Sequence, residues 1–302
     1  MTGEIEVIIG IPYGAHNHSL HKWDLFYPRS HEPLPIIVFV HGGAWRRYYD
    51  ICIFSGLHLT RLSPSGDKSE HHILARNLVE ATGFAVAVPN YRLSPRQPTS
   101  VEPPFRHPGH VDDIVSALIT IHSWEPPSTA ALRLDYNTMH LVGHSCGAHI
   151  VSAILMEARL PGAGPTQPLP ETVLSTIKTA TIAEGIYDFD LLLVTFPDYQ
   201  DFVEGAFGER GDQPGPSLTK FSVTQFVLPE NSMVRWFVVH STGDTLIDVN
   251  QAEAMISHLE ASHKAPATHV FQDISTLNAD HDGVLQTKEF VRLVADFVKK
   301  HG

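Results

Sequence analysis

Met139-His140-Leu141-Val142-Gly143-His144-Ser145-Cys146-Gly147-Ala148 is the stretch on which the reading of this chain turns. An apolar run leads into a Gly-x-Ser-x-Gly pentamer, and from Ala148 to Leu160 the apolar residues recur at helical spacing. A serine between a strand and a helix sits on a strained turn that lifts its hydroxyl above the sheet. The flanking glycines keep side chains from colliding with the neighbouring strand and helix. Ordinary Gly and Ser frequencies give such a pentamer in roughly one chain in ten of this length. Chance does not also seat it between a strand and a helix. Ser145 is therefore read as a nucleophile rather than as part of a plain Gly-rich turn.

Outward from this turn, short apolar and β-branched runs predict strands at 7–9, 36–40, 84–88, 139–142, 180–182, 236–239 and 269–271. Helical spacing is expected over 110–122, 148–160, 249–260 and 286–299. Strand and helix alternate, and the strands are apolar on both faces. That order predicts an α/β fold, a mostly parallel central sheet with helices on both faces. The segments about 46–68, 160–171 and 208–220 interrupt the pattern as loop insertions, expected to form a small lid. None separates two cores, so residues 1–302 are expected to make one domain rather than the two that the length would allow.

Hydrophobic residues make up 43% of the chain and charged residues 18%, a balance that excludes a disordered protein. The net charge of −12 argues against nucleic acid or an anionic membrane surface as partner, because both need a basic footprint. The longest apolar runs fall far short of the ~20 residues that span a bilayer. The first residues lack the charged start and apolar core of a signal peptide. Cys52 and Cys146 are too few for a disulfide framework. A cytoplasmic protein is expected. Its oligomeric state is left open by the sequence, a homodimer included. The 20 histidines are unusual: protonating all of them would turn −12 into +8.

A serine hydroxyl needs a base to take its proton and an acid to orient that base. After the strand at 236–239 comes His240-Ser-Thr-Gly243-Asp244-Thr-Leu-Ile-Asp248, and after the last strand comes Asn278-Ala-Asp280-His281-Asp282-Gly283. The order Ser145, Asp244, His281 suits a strand-turn-helix hydrolase. Asp248 competes for the acid's place, but it stands where the next helix begins and reads as an N-cap. The oxyanion of an acyl-transfer intermediate needs preorganised donors, each worth on the order of 3 kcal/mol. His41-Gly42-Gly43-Ala44-Trp45, directly after the strand at 36–40, supplies them: the N–H groups of Gly43 and Ala44, completed by that of Cys146. His41 is read as a structural hydrogen-bonder at this loop.

Together these residues resemble the α/β-hydrolase superfamily, in the branch with a His-Gly-Gly-x-Trp loop. Asn90-Tyr91-Arg92-Leu93-Ser94-Pro95, with Asp112 and Asp113 opening the next helix, is similar to a segment shared by that branch's esterases and formamidases. Glu184-Gly-Ile-Tyr-Asp188, Leu191 to Tyr199 and Phe202 to Phe207 resemble a region of fungal kynurenine formamidases. The similarity runs from Ile36 to the last helix and is weakest in the insertions. It implies hydrolysis of N-formyl-L-kynurenine to L-kynurenine and formate, a step of tryptophan degradation towards NAD, with a small-molecule substrate and no metal or organic cofactor. Trp45 and Tyr187 become candidates to face the aryl ring. An esterase or thioesterase of other specificity is the alternative, and a non-catalytic binding protein of the same fold is a second.

Overall fold

The computed structural model describes residues 4–14, 18–46, 66–95, 104–208 and 218–302. Eight strands form one sheet: β1 (Ile5–Pro12), β2 (Lys22–Pro28), β3 (Leu34–Val40), β4 (Ala85–Pro89), β5 (Leu134–His144), β6 (Ile177–Ala183), β7 (Arg235–Val239) and β8 (Val270–Asp273). Their spatial order is β1-β2-β4-β3-β5-β6-β7-β8. β2 runs antiparallel to both β1 and β4, and every pair from β4 to β8 is parallel. The expected mostly parallel sheet is therefore present, with an antiparallel edge.

The helices among the described residues are α1 (His72–Thr82), α2 (Gly109–Ser123), α3 (Cys146–Leu155), α4 (Glu171–Leu174), α5 (Phe189–Thr195), α6 (Gln200–Phe207), α7 (Val249–Ser262), α8 (Pro266–His269) and α9 (Lys288–His301). None is long and apolar enough to cross a membrane. The two-residue period of a strand explains how one sheet feeds two cores. On β3, Ile36, Val38 and Val40 face the core shared with α2 and α3, whereas Ile37 and Phe39 face the core shared with α1 and α9. On β4, Ala85 and Ala87 divide from Val86 and Val88 in the same way. α3 is buried along its whole length, so it carries no polar face. α9 buries Phe290, Val291, Val294, Ala295, Phe297 and Val298 on one side. Each large side chain so buried contributes about 1.5–3 kcal/mol of transfer free energy.

Beside the short helices α4, α5, α6 and α8, β2 and α1 escaped the sequence reading. β2 holds Asp24 in its middle, and a carboxylate there argues against a buried strand. The structure satisfies it with the backbone N–H of Gly10 at 2.7 Å, Lys68 Nζ at 2.7 Å and His72 Nε2 at 2.8 Å. α1 buries Leu74, Ala75, Leu78, Val79 and Thr82, a helical spacing that was available to read. The helix expected to Leu160 stops at Leu155, because the chain turns out to pair Glu157 with Val227, N–H to carbonyl at 2.8 Å. Of the expected insertions, 160–171 is tethered: His107 Nε2 donates to the Ala163 carbonyl at 2.7 Å, and the Thr166 N–H donates to Asp112 at 2.7 Å. The other two fall mostly at 47–65 and 209–217, outside the described residues, and so does Cys52.

Candidate active site

The parallel strands end in register. Val40 pairs with Gly143, His144 with Ala183, and Ala183 with Val239. Every loop leaving these carboxyl ends therefore opens on one edge, where ligands of open α/β sheets bind. Four non-glycine residues among those described have positive φ, Ala44 (50°), Trp45 (57°), Ser145 (55°) and Glu184 (49°), and all four lie just past β3, β5 or β6. That region costs an L residue of order 1–3 kcal/mol, and it persists only where surroundings over-determine it.

Ser145 stands between β5 and α3 at φ 55°, ψ −125°. Its N–H donates to the Ala183 carbonyl at 2.9 Å, so the turn is stitched to the neighbouring strand. The pentamer's glycines answer to contact. A Cβ on Gly147 would lie 2.1 Å from the Val40 carbonyl oxygen, and one on Gly143 would lie 2.6 Å from the Gly147 carbonyl oxygen. α3 can thus start directly against the end of β3.

The expected acid and base meet. His281 Nδ1 donates to Asp244 Oδ2 at 2.6 Å, while Oδ1 accepts the N–H groups of Leu246 at 2.8 Å and Ile247 at 3.0 Å. With the proton on Nδ1, the Nε2 lone pair of His281 is left to act as base. Burial works to raise the Asp244 carboxyl, but hydrogen bonds from His281 and Glu184, the His281 charge and the Ile247 N–H outweigh it and hold it well below the usual carboxylate range. The loops bearing the pair are in close contact, since a Cβ on Gly243 would lie 2.1 Å from the Asn278 carbonyl oxygen. Asp248 takes the N-cap position of α7 and accepts from Thr195 Oγ1 at 2.8 Å and Asn250 Nδ2 at 2.9 Å, leaving Asp244 to the histidine. On the serine side, His144 Nε2 donates to the His281 carbonyl at 2.9 Å. Burial pushes His144 down to about 3, so it stays neutral there.

The loop after β3 is held from beneath. Tyr91 Oη lies 3.0 Å from the His41 carbonyl, 3.3 Å from that of Gly42 and 3.4 Å from Cys146 Sγ. That sulfur also accepts the Trp45 N–H at 3.4 Å. In a trans peptide the N–H points opposite to the C=O, so anchoring the Gly42 carbonyl on Tyr91 directs the Gly43 N–H away from the core. Gly43 itself has φ 114°, which favours glycine. A Cβ on Gly42 would come within 3.0 Å of Ser145 Cβ, which brings this loop against the serine. His41 stacks on Tyr91, its Nδ1 2.8 Å from the Gly42 carbonyl.

The Asn90-Tyr91-Arg92 segment thereby acquires a use that sequence could not supply. Asn90 bridges the Lys68 N–H at 2.6 Å and Asp67 at 2.7 Å. Arg92 clamps Asp113 through Nε and Nη2. Trp45 and Tyr187, expected to face a substrate ring, are both fully buried. Trp45 packs edge-on against His149, Phe189 and Phe207, so its indole braces the loop from inside the core.

Sequence reasoning missed Glu184, just past β6. Its Oε1 accepts the Ser241 N–H at 2.8 Å, and its Oε2 lies 3.1 Å from His240 Nδ1. An acidic residue at the carboxyl end of a buried strand was the available signal. No metal is assigned to this edge, since Asp244 Oδ2 and His144 Nε2 are both engaged by His281.

Residues 37–273 match the family model described as alpha/beta hydrolase fold. The chain is 27% identical over 264 residues to a kynurenine formamidase of Meyerozyma guilliermondii, covering 87% of this chain and 83% of that one. It is 28% identical over 234 residues to a kynurenine formamidase of Eremothecium gossypii, covering 76% and 80%. Among solved structures, esterase B from Lactobacillus rhamnosis superposes with a TM-score of 0.69 at 16% identity, over 99% of this chain and 85% of that one.

Proposed function

Because the chain belongs to the alpha/beta hydrolase fold family, we propose that it is a serine hydrolase that cleaves N-formyl-L-kynurenine to L-kynurenine and formate. The observation that carries the chemistry is the hydrogen bond of His281 Nδ1 to Asp244, in a loop whose carbonyl is tied to His144, the neighbour of Ser145. Similarity to kynurenine formamidases over most of both chains supports the choice of substrate.

Ser145 Oγ attacks the formyl carbon while His281 Nε2 takes the hydroxyl proton. The tetrahedral oxyanion rests against the N–H groups of Gly43, Ala44 and Cys146. As the C–N bond breaks, His281 returns the proton to the departing arylamine nitrogen, leaving a formyl ester on Ser145. Water, deprotonated by His281, then releases formate. An anilide leaves more readily than an aliphatic amine, so a triad of the esterase kind suffices. We place the enzyme in the cytoplasm and in tryptophan degradation on the same reading.

The test compares kcat/KM for N-formyl-L-kynurenine with that for short p-nitrophenyl esters. A clear preference for the formamide is expected. Efficient ester cleavage with no action on the formamide would overturn the substrate and leave a carboxylic ester hydrolase. A folded protein whose Ser145 resists an organophosphonate would overturn the catalytic reading altogether.

A further inference from the structure

We propose that Glu184 is a positioning residue for the triad, a neutral carboxylic acid that donates a hydrogen bond to the Asp244 carboxylate and so fixes the group that orients His281. The inference rests on the serine-hydrolase reading above. Glu184 is fully buried. Oε1 has a donor, the Ser241 N–H, but Oε2 has none among the described residues: His240 Nδ1, at 3.1 Å, does not make a hydrogen bond to it. An ionised carboxylate with one oxygen buried and without a donor costs several kcal/mol. A proton on Oε2 removes that cost, and it turns the oxygen into a donor for a neighbouring carboxylate.

That acceptor is Asp244. One side-chain oxygen or nitrogen from each of Glu184, His240 and Asp244 lies within 4.8 Å of the others. Two carboxyl groups this close share a proton rather than ionise together. The groups facing Glu184 are Asp244 from the turn after β7, His240 directly past the end of β7, and Tyr187 from its own segment, while His281 from the turn after β8 faces Asp244 and His240. Asp248 acts on His240 from the head of α7. None of the groups next to Glu184 offers a positive charge to hold it ionised, and the His281 charge acts on Asp244 instead. Burial keeps His240 below its ordinary value, so it too stays neutral. Burial, then the hydrogen bond to Asp244 and its charge, push Glu184 up to about 9.

The backbone points the same way. Glu184 holds φ 49°, and its N–H donates to the Val239 carbonyl at 3.1 Å. A side chain with a Cβ is kept in a conformation that glycine tolerates better. Such strain is retained where the side chain has to be aimed. Here the aim is across the end of β7, beneath the loop that carries Asp244.

The experiment follows the rate at which an organophosphonate labels Ser145 against pH, in the wild type and in Glu184→Gln and Glu184→Ala. Labelling needs no assumption about the natural substrate. Gln keeps a donor for Asp244 and an acceptor for the Ser241 N–H, but has no proton to lose. Its rate is expected within about threefold of wild type, with the acid limb unmoved and the wild-type decline above about pH 9 abolished. Ala leaves Asp244 short of a donor. Its rate is expected to fall at least about tenfold, with the acid limb at higher pH, because a less shared Asp244 charge makes His281 hold its proton more tightly. An acid limb that moves in Glu184→Gln, or a Glu184→Ala profile that overlays wild type, overturns the proposal. Should the Ala variant not fold, the Gln profile still decides. So does the infrared carbonyl band of a protonated carboxylic acid, expected in the wild type near neutral pH and lost in Glu184→Gln. Wild-type protein that is never labelled overturns the serine-hydrolase reading along with this one. Labelled wild type with unaffected variants overturns this one alone.

Discussion

His144 Nε2 donates to the backbone carbonyl of His281 at 2.9 Å, and the two rings stand 4.8 Å apart. The residue before Ser145 thus holds the loop of His281, so serine and histidine are registered through the main chain. Replacing His144 by Ala leaves a buried carbonyl without its donor, at a cost of about 1–3 kcal/mol, and adds a cavity. We expect kcat to fall on the order of tenfold with KM little changed, since a looser base mainly affects the transition state. Steady-state kinetics beside a urea melt checks this. Unchanged kcat in a destabilised protein would assign His144 to stability alone.

Tyr91 tests the loop after β3 in the same manner. Tyr91→Phe removes one hydroxyl that reaches the His41 and Gly42 carbonyls and Cys146 Sγ while keeping the ring stacked on His41. The Gly42–Gly43 peptide then loses one of its two anchors and keeps only His41 Nδ1 at 2.8 Å. An oxyanion donor that is absent costs about 10²–10³ in kcat. One that is only loosened should cost roughly tenfold, with a lower melting temperature. Full activity in Tyr91→Phe would show that Cys146 and the core hold the loop without it.

Much of this site was legible because its parts lie at strand ends and carry punctuation. Gly143 and Gly147 flank Ser145, Gly42 and Gly43 follow β3, and Gly243 precedes Asp244; a Cβ on Gly143, Gly147 or Gly243 would collide with backbone, and one on Gly42 would crowd Ser145. Asp24 and Glu184 were opaque for the opposite reason. Each is an acid inside the fold, and only partners distant in sequence make that burial tolerable: Lys68 and His72 for one, Ser241 and Asp244 for the other. Trp45 was misplaced because loop position says that a ring is near the site, not which way it points. Its environment of His149, Phe189 and Phe207 is assembled from three helices, α3, α5 and α6.

The choice between Asp244 and Asp248 can be settled by paired substitution. Asp244→Asn removes the charge that holds the His281 Nδ1 proton and should lower kcat roughly 10³–10⁴-fold. Asp248→Asn disturbs contacts with Thr195 and Asn250 and a longer-range effect on His240, none of them with His281, and should stay within about threefold. Comparable losses in both would mean that the acid is shared between them.

The histidines make acid, rather than heat, the severe test of this fold. Burial pushes His110 and His144 down to about 3 and His140 and His149 down to about 4, so the folded chain refuses protons that the unfolded chain accepts. The sign follows from linkage: this contribution is intact above the ordinary histidine value near 6.5 and is lost as pH falls below it. At pH 5 the penalty is about 2 kcal/mol for each of the four, roughly 8 kcal/mol together. That rivals the whole stability of a typical domain, about 5–15 kcal/mol. Glu184 works in the other direction. Its folded value is raised to about 9, so stability declines as pH rises from the ordinary carboxylate range towards that value. Urea midpoints should therefore fall steeply from pH 7 to pH 5 and gently above pH 7. The chain should be unfolded near pH 4.5, well before twenty histidines could charge a folded protein to +8. A midpoint that stays level between pH 7 and pH 5 would mean that these histidines are protonated in the folded state, and that water reaches a core in which His144 and His149 flank the first turn of α3.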